Sequence, residues 1–335
     1  MPDSCIHYIL PQHVGQQDVV YSSEMDESSD DWLSLKPVQP LPSQCCGSGC
    51  TPCIFDIYQK ELALWEEAKK RNDKNYLTNK ETNKKDSNAA IIDSEMFTAF
   101  KLCSVERLTD DTCQYRFELP RGWTLGLTLG QHIVLRGTVN DMELQRAYTP
   151  ISPVDMEDSF EVLIKCYPDG LMSQYVQSWK VNDSICWRGP FGGFPYEPNK
   201  YGQLLMLASG TGVAPMLPIM QHITGNEDDE TFVTLVGCFR NFKSIYMKPL
   251  LQDLSLYWNI KTVYALSQEE TIDNLPWSYQ EKTHIGRIDC DVLRSVIDSC
   301  RRKPYVLICG SLTFNEDMVN YLKRLELQED SCFIF

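Results

Sequence analysis

The residues best equipped for chemistry stand together at Arg146-Ala147-Tyr148-Thr149-Pro150. On an extended strand alternate side chains share a face. Arg146 and Tyr148 would therefore present a cation and a flat ring side by side, with the Thr149 hydroxyl next to them. That set suits a ligand carrying a pyrophosphate and a stacked ring, with a hydrogen bond offered to the ring's edge. The same five residues also read as plain barrel wall, so the rest of the chain has to decide.

Three further stretches bear on the choice. Ser209 to Met216, SGTGVAPM, lies where an apolar run passes into a helical pattern. Gly210 and Gly212 permit a tight turn and close approach of a phosphate, and the amides that open a helix attract anions. It is not the GxGxxG fingerprint and also reads as a simple turn. In PDGLMSQYV, Gly170 and Ser173 bracket a second helix start, suited to phosphate oxygens or to ordinary N-capping. Cys309 and Gly310 end the apolar run Val306 to Ile308, where parallel sheets collect ligands. Cys309 either helps to place a nicotinamide or is the last buried residue of its strand. A fourth cluster, Cys45, Cys46, Cys50 and Cys53, packs thiols into one loop. Zinc, an iron-sulfur cluster, free thiols and a protein-docking element are all open readings, since the spacing fits no standard pattern.

The elements that must position these residues fall into blocks. Residues 1–44 are rich in Ser, Asp, Gln and Pro and read as a disordered tail. Residues 45–70 form a Cys-rich module whose helix carries Ile54, Ile57, Tyr58, Leu62 and Trp65 on one face, and residues 71–95 a polar linker. Across 96–200, short alternating runs predict strands at 97–105, 113–119, 132–135, 147–151, 160–167 and 184–188, with one helix at 172–179. That pattern predicts a small antiparallel barrel. Across 201–335 strands alternate with helices: strands at 204–209, 232–239, 261–266 and 305–309, helices at 215–223, 249–257, 291–300 and 315–327. Such alternation predicts a parallel sheet covered on both faces, so the fold class is β plus α/β.

Composition sets outer limits. With 43% apolar and 23% charged residues the chain is a globular one, and a net charge of -15 excludes a general nucleic-acid or anionic-membrane binder. The opening residues have no basic stretch followed by an apolar core, so neither a leader nor an intrinsic membrane segment is expected. The 14 cysteines are mostly scattered through apolar runs, which fits free thiols in a reducing, intracellular compartment, cytoplasmic or peripheral to an organelle membrane.

RAYTPIS, VLIKCYPDGLMSQYV, RGPFGGF, ASGTGVAPML, the Cys309-Gly310 pair and the ending CFIF occur in the order found in NADH-cytochrome b5 reductases, which this chain resembles from about Phe97 to Phe335. The resemblance implies an FAD-binding antiparallel barrel followed by a nucleotide-binding parallel-sheet domain. It implies hydride transfer from NADH to the flavin and single-electron delivery to a haem protein such as cytochrome b5. By the same resemblance Arg146 binds the FAD pyrophosphate, Tyr148 packs on the flavin and Thr149 bonds near its reactive edge, with Pro150 beside them. Gly170, Met172 and Ser173 hold FAD phosphates, Ile164 and Tyr167 line the adenylate and ribose, and His132 lies at the flavin's polar edge. Lys165 stands near NADH; Gly210, Thr211, Gly212 and Pro215 cradle the dinucleotide; Cys309 and Gly310 place its ring; and Phe335 lies by the domain interface. Thr149, Cys309, His132 and Lys165 are the expected catalytic set. The N-terminal cysteines resemble an oxidoreductase-like module. Three positions depart from the family: Ala214 replaces Thr, Gly310 is followed by SLTF in place of a proline run, and Ser267 stands where many members carry an acidic residue. Glu269 and Glu270 are expected to repel a 2′-phosphate. A diaphorase or quinone reductase, and a degenerate reductase that only binds a partner, are the competing readings.

Overall fold

The computed structural model describes residues 32–42, 54–73, 91–140, 142–327 and 329–335. Helix α1 spans Ile54–Arg71 and turns Leu62, Trp65 and Ala68 onto Trp32, forming a small core of its own. Trp65 Nε1 donates to the Trp32 carbonyl at 3.0 Å. Here the structure departs from the expected tail, because Trp32 is only 4% exposed. A large indole with a satisfied N–H gains more from burial than the short segment around it loses in chain freedom. The linker expected through residue 95 also ends sooner: Ile92 is 2% exposed and sits in the barrel core.

The barrel strands are β1 Thr98–Arg107, β2 Thr112–Glu118, β3 Gln131–Val139, β4 Met142–Tyr148 and β5 Ser159–Lys165. Helix α2, Leu171–Gln177, and β6, Ser184–Gly192, complete the domain. The antiparallel order is β4-β3-β6-β1-β2-β5. The two outer strands are brought together where Pro150 bridges Val162 and the Ile151 amide donates to Glu161 at 2.8 Å. The inward positions carry Phe117, Phe160 and Trp187, whose rings meet at 5.1 to 6.1 Å. Helix α2 packs across β3, where Gly137 leaves room for the Tyr175 ring; a Cβ there would come within 2.6 Å of it. The segment predicted as strand 147–151 begins earlier, at Met142, because Met142 to Gln145 already pair with β3 in register, Val139 opposite Met142 and Gly137 opposite Leu144, and Leu144 turns into the barrel core.

The second sheet comprises β7 Gln203–Ser209, α3 Met216–Thr224, β8 Phe232–Phe239, α4 Lys248–Leu254, β9 Ile260–Leu266, α5 Trp277–Gln280 and β10 Thr283–Ile285. It continues with α6 Cys290–Asp298, β11 Tyr305–Cys309, α7 Leu312–Arg324 and β12 Cys332–Ile334. All neighbours are parallel, in the order β10-β9-β8-β7-β11-β12. The chain builds outward from β7 on one side and then returns to add β11 on the other. That reversal makes the gap between the carboxyl ends of β7 and β11 the place where a crevice forms. Strand β7 is buried along almost its whole length, as a central parallel strand must be.

One apolar cluster runs through both domains. Leu129, Ile151, Leu163 and Phe194 of the barrel pack with Met216, Ile219 and Leu307 of the parallel-sheet domain. Tyr196 OH donates to Asp229 and contacts Thr231 across the same junction. The two domains are thus joined by a packed, mostly apolar interface, which fixes the faces that look into the cleft between them.

Candidate functional site

The two glycine-containing turns expected to serve one dinucleotide touch each other. The turn Gly210–Val213 after β7 lies directly against the end of β11. A Cβ on Gly212 would stand 2.1 Å from the Cys309 carbonyl oxygen and 3.0 Å from the Gly310 amide nitrogen. Only glycine permits that backbone-to-backbone contact. Gly310 is equally confined, with Phe314 and Ser209 at 2.5 and 2.9 Å from where its Cβ would be. Gly210 differs: its φ is +54° and nothing lies within 4 Å of its Cβ position, so its backbone faces open space. The arrangement suits a pyrophosphate, which needs bare amides on a surface that side chains do not cover. Pro215 caps α3 just beyond the turn, and Thr211 accepts the Ala214 amide at 3.0 Å.

This turn opens on a cleft of about 300 Å³ at the carboxyl ends of β7, β8, β9 and β11. Lys165 reaches it from the barrel, while Ser209 and Gly210 line its middle. Lys165 Nζ pairs with Asp111 at 3.3 Å and stands 5.5 Å from the Tyr167 ring. Asp111 also takes Arg240 Nη2, from the end of β8, at 2.6 Å. Burial pushes the Asp111 carboxyl up, but hydrogen bonds from Thr112 and Thr109 and the Lys165 charge outweigh it and hold the group below its ordinary value. Thr112 Oγ1 continues the link to Tyr246 OH at 3.2 Å. This polar junction between domains escaped sequence reasoning, because nothing in LTDDT marks Asp111 as a partner for a residue 129 positions away.

A second, narrower groove lies at the same junction. Thr149, Pro150, Gly130 and Gln131 of the barrel meet Pro218 of α3 along it. Phe335 packs against the Gly130 backbone and within 4.9 Å of Phe333, while its amide donates to Ile308 at 3.0 Å. Phe335 is therefore tied both to the barrel and to β11. Arg146 Nη1 donates to the Gln145 carbonyl at 2.7 Å. Tyr148 meets Trp187 edge-on at 5.9 Å, and burial drives its phenol pKa upward so that it stays protonated. Arg146, Cys166 and Tyr167 lie close enough to act on that phenol electrostatically, which brings the strand residue and the turn before α2 together.

Other expected residues turn out differently placed. Ile164 and Met172 have side chains in the barrel core, 1% and 6% exposed, so only their main chain is left for a ligand. Ser173 does not cap α2; its hydroxyl accepts the Tyr167 amide at 2.9 Å, and Gly170 occupies the cap position without a side chain. His132 is partly buried, its pKa lowered by desolvation, and its Nε2, which is itself buried, has no hydrogen-bond partner among the described residues. A buried ring nitrogen left open in this way fits a polar group supplied by a bound cofactor. Cys309 is held by burial with its thiol pushed up to about 12, so it is a neutral packing group rather than a thiolate. Glu269, expected to face a 2′-phosphate, instead accepts the Phe242 amide at 2.8 Å, and neither it nor Glu270 lines the cleft. Cys45, Cys46, Cys50 and Cys53 lie outside the described residues. Among those described, no group of His, Cys, Asp and Glu could hold a metal, and no helix is long and apolar enough to cross a membrane.

An antiparallel barrel joined to a parallel sheet, with a bare-backbone turn at the point where strand order reverses, defines a two-domain flavin and nicotinamide dinucleotide oxidoreductase. Family models agree: residues 99–196 match an oxidoreductase FAD-binding domain, 206–320 an oxidoreductase NAD-binding domain, and 32–74 the N-terminal part of oxidoreductase-like proteins. The chain is 55% identical over 313 residues to an NADH-cytochrome b5 reductase-like protein of Mus musculus, covering 93% of this chain and 99% of that one. It is 54% identical over 312 residues to its Homo sapiens counterpart, covering 93% and 98%. The cytochrome b5 reductase domain of Ulva prolifera nitrate reductase shares the fold, with a TM-score of 0.65 at 23% identity over 74% of this chain and all of that one. The chain belongs to the NADH-cytochrome b5 reductase-like family, and it carries both an FAD-binding and an NAD-binding domain.

Proposed function

We propose that this oxidoreductase takes hydride from NADH and passes electrons one at a time to a haem protein such as cytochrome b5. The observation that carries the reading is the contact of Gly212 with Cys309 and Gly310. It joins the expected dinucleotide turn to the strand end that would place the nicotinamide, and Phe335 ties that strand to Gly130 in the groove that Thr149 lines. Bound in the barrel, FAD would supply a ring able to accept a hydride and release electrons singly.

The chain's own residues would do the rest. Arg146 holds the pyrophosphate of the flavin nucleotide, and the neutral, partly buried Tyr148 gives its ring a flat wall. Thr149 and Pro150 lie at the reactive edge, and His132 Nε2 takes a polar group at the far edge. Main-chain amides at Gly170, Met172 and Ser173 receive phosphate oxygens, and Ile164 contributes main chain only. Lys165 bridges from barrel to nucleotide, while Gly210, Thr211, Gly212 and Pro215 shape the dinucleotide turn. Cys309 and Gly310 fix the ring plane, and Phe335 packs the junction so that water is kept from the transfer path.

The test is a visible spectrum of the purified protein before and after anaerobic NADH, followed by cytochrome b5. Bleaching of the flavin bands and then haem reduction is the expected result; a flavin that NADH leaves oxidised refutes the reading. Arg146→Ala should lower flavin retention several-fold at equal dilution, and undiminished content would remove its role. The net charge of -15 favours a second reading in which the acceptor is small, as in a diaphorase or quinone reductase, because an acidic surface slows the approach of an acidic haem protein. Bleaching without haem reduction would select it.

A further inference from the structure

The cleft carries a charge pattern opposite to that of the chain. In a protein of net charge -15, its lining holds Lys165, Arg240 and Arg287 against one carboxylate, Asp317, with Asp111, paired to both Lys165 and Arg240, as a second beside it. The sheet order decides which part of a dinucleotide meets which of these. If the nicotinamide lies at β11 beside Cys309 and the pyrophosphate at the turn after β7, the adenosine half must extend the other way, over the ends of β8, β9 and β10. Arg240 follows β8, Ser267 follows β9 and Arg287 follows β10, and all three line the cleft.

Arg240 and Ser267 are fastened side by side. The Ser267 amide donates to Phe239 at 3.0 Å, and the Gln268 amide to the Arg240 carbonyl at 2.7 Å. Discrimination between the two nicotinamide dinucleotides rests on this place: a carboxylate takes the ribose 2′-hydroxyl of NAD and repels a 2′-phosphate, whereas an arginine accommodates it. Here Ser267 supplies a neutral hydroxyl, which donates to the Phe239 carbonyl at a long 3.4 Å, and the Glu269 carboxylate, which accepts the Phe242 amide through one oxygen, lies outside the cleft lining. Arg287 is exposed and has no ion-pair partner among the described residues. Arg240 gives one nitrogen, Nη2, to Asp111, and a guanidinium has five N–H donors, so it retains others for a phosphate.

We propose that the cleft accepts NADPH as well as NADH, with Ser267, Arg240 and Arg287 forming a subsite for the adenosine 2′-phosphate. The proposal rests on the cleft being the nicotinamide dinucleotide site and adds the specificity of its far end.

The experiment measures binding of adenosine 2′,5′-bisphosphate and of 5′-AMP to the full-length FAD-loaded protein by titration calorimetry, with no turnover required. The bisphosphate should bind about tenfold more tightly, or about 1.4 kcal/mol, with an advantage that fades as salt is raised. Ser267→Asp should reverse the order, and Arg287→Ala should shrink the affinity ratio toward one. Both substitutions are at the surface end of the cleft; circular dichroism and flavin content check that each variant is folded. Kinetics give a second readout: kcat/KM for NADPH within about tenfold of that for NADH in the parent chain, falling steeply in Ser267→Asp. Equal or weaker binding of the bisphosphate, or a ratio that Ser267→Asp and Arg287→Ala leave untouched, overturns the proposal. If NADH bleaches the flavin while the bisphosphate shows no advantage, the subsite fails and the reductase stands. If the bisphosphate binds as expected while neither dinucleotide bleaches the flavin, the subsite stands and the reductase reading falls.

Discussion

Gly212→Ala isolates the contact on which the site depends. The added methyl would lie 2.1 Å from the Cys309 carbonyl oxygen and 2.6 Å from its carbon. Both are backbone atoms, so no side-chain rotation relieves the clash, and the turn and β11 must part by roughly 1 Å to restore ordinary contact. Overpacking costs about 1–3 kcal/mol, and a rigid backbone clash belongs at the upper end. For a cooperative unit of 150–250 residues, about 3 kcal/mol corresponds to a Tm roughly 6–12 °C lower. The same displacement moves Cys309 and Gly310 away from the place where the nicotinamide would lie, and an error of about 1 Å there can slow transfer by about a hundredfold. Differential scanning calorimetry and stopped-flow flavin reduction by NADH read the two effects. Gly210→Ala is the control: its Cβ meets nothing, and only its left-handed φ of +54° is penalised, by about 1–2 kcal/mol. A Gly212→Ala protein that melts within about 2 °C of the parent, or that loses less stability than Gly210→Ala, refutes the packing argument.

Two further outcomes test the junction and the thiol. Asp111→Asn should lower stability at neutral pH by about 0.2–1 kcal/mol for each of its two partly exposed ion pairs, read as the urea midpoint. Because the folded Asp111 pKa lies below its ordinary 3.8, the stabilisation is full above that value and is lost as pH falls through the folded one; parent and variant should therefore converge in acid, and a constant difference down to the lowest pH would contradict the assignment. Cys309→Ala should slow flavin reduction without reshaping its pH profile between about pH 6 and 9, since a thiol held near 12 does not ionise there. A limb near the ordinary thiol pKa that disappears in the variant would show that Cys309 titrates.

How far the sequence could be read depended on whether a residue's role was set locally. Phe232–Phe239 and Tyr305–Cys309 have the expected bounds because a doubly buried parallel strand writes itself as a nearly continuous apolar run. Strands Thr283–Ile285 and Cys332–Ile334 escaped notice, as three residues carry no period and exist only through pairing with β9 and β11. Helix α7 begins at Leu312 rather than Asn315 because Ser311 caps it, accepting the Phe314 amide at 3.3 Å; that serine opens the SLTF segment that stands in place of a proline run. The site divides in the same way. Glycine turns announce themselves, yet that Gly212 and Cys309 touch follows only from β11 being placed next to β7. Ser267 stood out as a departure, and taken alone it removes a preference without supplying another. Its meaning comes from Arg240 and Arg287, which sequence order scatters and the sheet order gathers onto one rim of the cleft. The proposed nicotinamide end is therefore legible in motifs, whereas the proposed adenosine end is legible only in topology.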